Sequence, residues 1–276
     1  MSDHLIRHPD GFGSGLSAIT RRGEPLDTGI DFGILKLAAG ERLELRSDLE
    51  SAYLLMDGHI SFQLGTESRT VKRSSLFEQD PTALHLAAGT EASLECISAC
   101  ELAVCQTENQ AAFAPTIFDS SNMLESEHRG QGLLDDTAYR IVRTIFDKRN
   151  REEANLVLGE VVNFPGRWSS YPPHHHPQPE IYHYRFTEEQ GYGHGELGDD
   201  VLKIRQFDTL KILAEKDHSQ VAAPGYGMYY LWVIRHLPEV PYTVPDFTAE
   251  HSWTMEPDSS NRAWKPRPSV DDREKA

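Results

Sequence analysis

YPPHHHPQPEIYHYRF, residues 171–186, sets three consecutive histidines behind a Pro-Pro step and a glutamate four positions past the last of them. On an extended strand side chains alternate between faces, so His174 and His176 project together while His175 turns to the outer face. If the bend at Pro177 and Pro179 lets the chain continue along the same wall, Glu180 adds a carboxylate oxygen to the two imidazoles. Imidazole with carboxylate suits borderline divalent metals, here Zn, Mn, Fe, Co or Ni, whereas an all-oxygen set would suit Mg or Ca. A bare histidine run is more often a solvated loop than a metal site, and a fourth donor shifts that balance. His218 supplies one: it lies in the turn after TLKIL and just before VAAPGYGMYYLWVI, where a loop between paired strands can return to the same wall.

Around this stretch the chain reads as all-β. In ISFQL, Ile60, Phe62 and Leu64 alternate with polar positions as a half-buried strand requires. MDGHI carries the Asp-Gly of a tight hairpin turn, and LAAGTE reads as another turn. The same strand, glycine-turn, strand layout returns from residue 138 on, in AYRIVRTIFD, ANLVLGEVVNF, VLKIRQF and GYGMYYLWVIRHL. The expectation is two β-barrels in tandem: residues 1–110, a connector over 111–150, a metal-binding barrel over 151–255, and a flexible tail over 256–276 in which only Trp264 suggests docking. The first barrel contains His59 and His85 but no H-x-H-x3-E set, so it is expected to hold no metal and to serve as a cover or an oligomer interface.

Composition narrows the partners. A formal net charge of -16 over 276 residues repels nucleic acid, and no basic stripe offsets it. No window is apolar enough for a membrane span, and MSDHLIRHPDGFGSG lacks a secretory apolar core, so a cytoplasmic location is expected. Cys96, Cys100 and Cys105, an odd count without CxxC spacing, read as reduced core thiols. The same acidity means that an anionic small substrate needs a specific cation, with Arg167, Arg185, Arg205 and Arg235 as candidates.

The H-x-H-x3-E block followed by a downstream histidine resembles the two signatures of the cupin superfamily, metal-binding jelly-roll β-barrels; the second signature is degraded, since FDTLKILAEKDH keeps Asp208 and His218 but not the usual glycine and proline. More specifically, GEVVNFPGRWSSYPPHHH, EIYHYRF and VAAPGYGMYYLWVI resemble the 5-deoxy-glucuronate isomerase family of inositol catabolism. KRSSLFEQDPTALHLAAGTEASLECISACELAVC and EHRGQG extend the likeness over roughly residues 10–255. Departures are His175 and Pro177 where the family has Lys and Asp, the AEKDH turn, and TEEQGYGHGELGDD after EIYHYRF.

The resemblance implies a bicupin and an aldose-ketose isomerase. It would convert 5-deoxy-glucuronate, a small sugar acid, to 2-deoxy-5-keto-gluconate with a divalent metal on His174, His176, Glu180 and His218. A base must move a proton between adjacent carbons, and His183, Tyr184, Tyr229 and Tyr171 are the candidates; Arg185 is the candidate for the substrate carboxylate. Of the tyrosines in GYGMYYLWVI, only one is expected to see substrate. A cupin iron dioxygenase and a non-catalytic sugar-acid-binding module are the alternative readings, and a homo-oligomer is allowed by either.

Overall fold

The computed structural model describes residues 2–213 and 216–266, and among these nearly every regular element is a strand. In the first half a nine-stranded sheet is organised around Glu50–Leu64, which pairs with Cys100–Thr107, Ala83–Leu86, Glu67–Arg73 and Ala92–Cys96. The hairpin expected at Asp57-Gly58 does not form there. A single 15-residue strand runs through the dipeptide and changes partners at it. Gly58 takes φ +113° at a register shift, and a Cβ there would sit 2.6 Å from the Ala99 carbonyl oxygen. Only glycine allows this close backbone approach, so the dipeptide marks a bend within a strand. The chain reverses later, where Leu64 pairs with Glu67 across Gly65-Thr66.

The second half has two sheets. A seven-stranded one runs Leu5–Ile6, Thr209–Ile212, Glu180–Phe186, Met228–Arg235, Leu156–Asn163, Arg140–Phe146, Glu127–Arg129. A five-stranded one runs Asp200–Arg205, Tyr192–Leu197, His218–Ala222, Trp168–His175, Asp246–Phe247. Leu5–Ile6, from the chain's beginning, thus belongs to a sheet otherwise built after residue 126, and within 111–150 Thr116–Phe118 pairs with Ala83–Leu86 while Arg140–Phe146 pairs with Leu156–Asn163. Residues 256–266 include a short helix, Ser259–Arg262, whose Ser260 hydroxyl accepts the Leu134 N–H at 2.8 Å; Trp264 is exposed, and 267–276 lie outside the described residues.

Two cores decide which side chains can reach a site. The large sheets of the halves pack on one another through a shared apolar layer. The first half gives Ile34, Leu54 and Phe118, and the second gives Leu156, Ile181, Tyr229, Leu231 and Val233. Inside the second half, between its two sheets, lie Val142, Val161, Tyr182, Tyr184, Tyr230 and Leu197. The seven-stranded sheet is therefore buried on both faces, which is why its strands read as nearly unbroken apolar runs. In the shared layer Glu160, fully buried, accepts from Arg73 at 2.7 Å, Arg143 at 2.9 Å and Tyr229 at 2.9 Å. Pairing of this kind offsets the cost of burying charge. The three cysteines are free and buried, and no helix among the described residues is long and apolar enough to cross a membrane.

Candidate metal centre

His174 lies on the Trp168–His175 strand, Glu180 opens Glu180–Phe186, and His218 opens His218–Ala222 directly opposite His174. The strand pleat brings them together with His176: the Glu180 Oε2 atom is 3.3 Å from His176 Nε2 and 3.4 Å from His218 Nε2. His176, Glu180 and His218 place donor atoms within 4.8 Å of one another. His174 stands beside them, its ring 4.3 Å from that of His218 and 6.4 Å from that of His176. All four are buried. His175 points outward, half-buried, with its Nδ1 2.7 Å from Asp217. Ala214 and Glu215 of the AEKDH turn lie outside the described residues.

The tautomers follow from the second nitrogen of each ring. Nδ1 of His174, His176 and His218 faces a backbone carbonyl, Pro172 at 3.3 Å, Gln178 at 2.8 Å and Lys216 at 2.9 Å. A proton donated there leaves Nε2 with its lone pair, which in His176 and His218 faces the Glu180 carboxylate. Lone pair and carboxylate repel unless a cation stands between them. The buried His218 Nε2 has no hydrogen-bond partner. Donors bound to one metal at about 2.1 Å lie roughly 3.0–3.4 Å apart, which matches the Glu180 spacings. The residues fit a divalent metal of the imidazole and carboxylate type. Burial alone would raise the Glu180 carboxyl, but the adjacent His176 and His218 rings outweigh it and hold it at about 2. Burial, then His218, pushes His174 well down, so it stays neutral and able to ligate.

A cavity of about 450 Å³ opens onto His174, His176 and Glu180. Its wall carries Arg140, Ser170, Tyr171, Tyr182, Tyr230 and Trp232, and Tyr242 and Phe247 close over the histidines. Ser169 and Ser170 hydrogen-bond the Tyr230 hydroxyl at 2.6 and 3.0 Å, and Ser170 lies 3.3 Å from that of Tyr182. This cluster depends on an irregularity. Between Ser169 and His174 the strand advances five positions while its partner advances two, from Gln220 to His218, and Ser170 takes φ +52°.

Of the side chains nominated for chemistry, Tyr171 lines the cavity and four others do not. His183 and Arg185 are one residue out of step with Glu180, so the pleat turns them into the layer shared by the halves. There His183 packs between Phe12 and Phe32, and Arg185 pairs with Glu101 at 2.5 Å. Tyr229 sits on the same face, bound to Glu160. Tyr184 has the right parity but lies deeper, donating to Gln220 at 2.7 Å. Glu180, Tyr182 and Tyr184 pair with Ile234, Trp232 and Tyr230, and opposed residues share a face, so Tyr182, Tyr230 and Trp232 are the ones that reach the cavity. The parity of Glu180 could have nominated Tyr182 from sequence. Arg167 donates to the Asp135 carbonyl and Arg235 packs over Gly29, while Arg129, Arg140 and Arg149 are the arginines of the cavity wall. In the first half His85 bonds Glu50 at 2.9 Å and accepts from Arg151 at 3.1 Å.

A model described as the KduI/IolB family matches residues 6–254. The 5-deoxy-glucuronate isomerase of Geobacillus kaustophilus is 27% identical over 249 residues, covering 82% of this chain and 86% of that protein. In structure, an IolB-like protein from Salmonella typhimurium aligns with a TM-score of 0.80 at 24% identity, covering 92% of this chain and 99% of the other. A cupin 2 conserved barrel domain protein from Leptotrichia buccalis aligns at a TM-score of 0.50 and 13% identity, over 82% and 91%. The architecture is all-β and cupin-type.

Proposed function

The chain belongs to the KduI/IolB family, and from that premise we propose that it is a metal-dependent aldose-ketose isomerase. Its substrate is 5-deoxy-glucuronate and its product 2-deoxy-5-keto-gluconate, in the catabolism of myo-inositol. The observation that carries this reading is the set of imidazole nitrogens converging on Glu180 at metal spacing, with one Nε2 buried and unpartnered, at the wall of a cavity large enough for a six-carbon acid.

His174, His176, Glu180 and His218 would hold the metal; when bound, it supplies positive charge beside the aldehyde and neighbouring hydroxyl oxygens of the substrate. The chain's own residues do the rest. Burial, reinforced by the Glu180 carboxylate, pushes the Tyr182 phenol well above its usual range, and burial also raises Tyr230. Both stay protonated at neutral pH. They present O–H donors to the substrate oxygens on which negative charge develops, and fixed donors in a water-poor site are effective there. The hydroxyls of Ser169 and Ser170 hold these phenols in place and connect them for proton movement. Tyr242 and Phe247, packed on His176 and His174, shield the site from bulk water.

Stripping the purified protein with a chelator and restoring single divalent metals tests the proposal. Conversion of 5-deoxy-glucuronate, followed by NMR, is expected to vanish and return; turnover indifferent to chelation refutes it.

A further inference from the structure

Four arginines are buried among the described residues: Arg73, Arg140, Arg143 and Arg185. Three face carboxylates, Arg73 and Arg143 on Glu160 and Arg185 on Glu101. Arg140 faces none. It is 7% exposed, and the hydrogen bonds it makes run from Nη1 to the Ala138 carbonyl at 2.9 Å and from Nη2 to the Tyr171 carbonyl at 3.2 Å. Of the acids that line the same cavity, Glu127 is engaged by Arg129 through both oxygens, at 2.9 and 3.2 Å, Asp147 pairs with Arg149 at 2.7 Å, and Glu180 faces His176 and His218. A guanidinium carries five N–H donors and cannot shed its charge at neutral pH, even though burial brings the Arg140 pKa down to about 10. A buried cation without an anion is costly, and a cavity wall is where a ligand can supply the anion.

Contacts connect this cation to the metal centre. The Tyr182 ring lies 5.9 Å from His218 and 4.7 Å from Tyr230; Tyr230 is held by Ser170; and the next residue, Tyr171, gives its carbonyl to Arg140. A sugar acid carries its aldehyde and carboxylate at opposite ends of the carbon chain. We propose that Arg140 seats the substrate carboxylate, so that the aldehyde end lies at His174, His176, Glu180 and His218 and the site selects acids over neutral sugars. The inference rests on the isomerase reading, and it gives Arg140 the role that the sequence offered to Arg185.

The test compares metal-loaded wild type, Arg140→Met and Arg140→Lys on 5-deoxy-glucuronate and on 5-deoxy-glucose, which has a hydroxymethyl group in place of the carboxylate. Each protein is also titrated calorimetrically with D-gluconate, a polyol acid with no aldehyde to react. Arg140→Met is expected to cut the acid-over-neutral ratio of kcat/KM by about 100-fold and to weaken gluconate by a similar factor, the scale of removing one partner of a buried charge pair. Arg140→Lys keeps a charge but loses the fork, and is expected to retain part of the preference; it serves if the methionine variant fails to fold. An unchanged ratio with unchanged gluconate affinity overturns the assignment. Wild type that binds gluconate through Arg140 yet isomerises neither sugar supports the anion seat and removes the isomerase reading instead.

Discussion

Replacing Tyr229 with phenylalanine deletes one oxygen from the layer between the halves and nothing from the cavity wall. That oxygen donates to Glu160 Oε2 at 2.9 Å, while Arg73 and Arg143 bind Oε1. Glu160 and Tyr229 are both fully buried, so no water replaces the lost donor. A hydrogen bond to a charged group contributes about 1.5–3 kcal/mol, and the void left by one oxygen adds little. At roughly 2–4 °C per kcal/mol for a chain of this class, the melting temperature is expected to fall by about 3–12 °C. Isomerisation of 5-deoxy-glucuronate below the transition is expected to be unchanged, because Tyr229 projects away from Glu180. Calorimetry and NMR-followed turnover on the same preparation decide the matter. A variant that melts like wild type but loses turnover would show that the face assignment is wrong.

Tyr182→Phe should behave in the opposite way, with turnover reduced by about 100-fold, the scale of a lost oxyanion donor, and a small change in melting. At Gly159 an added Cβ would lie 2.4 Å from the Trp232 ring, so Gly159→Ala is expected to displace an aromatic of the cavity wall; overpacking of this kind costs about 1–3 kcal/mol, read as a lower melting temperature with altered tryptophan emission. Burial, then the charge of Lys148, lowers His236 from 6.5 to about 4, and its neutral Nδ1 accepts the Tyr242 N–H at 2.9 Å. The unfolded chain therefore takes up this proton first. Stability from this group is present above 6.5 and is lost as pH falls toward 4, and His236→Asn should flatten that limb of a denaturation midpoint plotted against pH.

The convergence of His174, His176 and Glu180 was legible because its information is local. Two histidines and a glutamate lie within seven residues, and alternation along a strand alone puts His174 with His176 and sets His175 apart. The parity that Glu180 sets for Tyr182 was present in the sequence but went unused, and His183 and Arg185 were nominated from the opposite face. Choosing between Tyr229 and Tyr230 needs the pairing of Tyr184 with Tyr230 across two strands separated by about forty positions, which no single-strand pattern contains. Arg185 looked available because nothing in its own segment shows Glu101, a residue of the other half. Arg140 was hidden for a related reason. Its segment, AYRIVRTIFD, reads as a strand, but its inward aim comes from register with Asn163 and from the bulge that turns the Tyr171 carbonyl toward it. The Asp57-Gly58 hairpin misread the same glycine chemistry: a positive φ marks a bend as readily as a turn.

X-ray absorption at the metal edge of the purified protein, paired with metal analysis, tests the centre most directly. One divalent metal per chain is expected, with imidazole nitrogens and a carboxylate oxygen at about 2.0–2.2 Å, and this signature should be lost together in His176→Ala and His218→Ala. Metal-supplemented protein that binds none, or a bound metal whose scattering shell lacks imidazole and is untouched by both substitutions, would contradict the account.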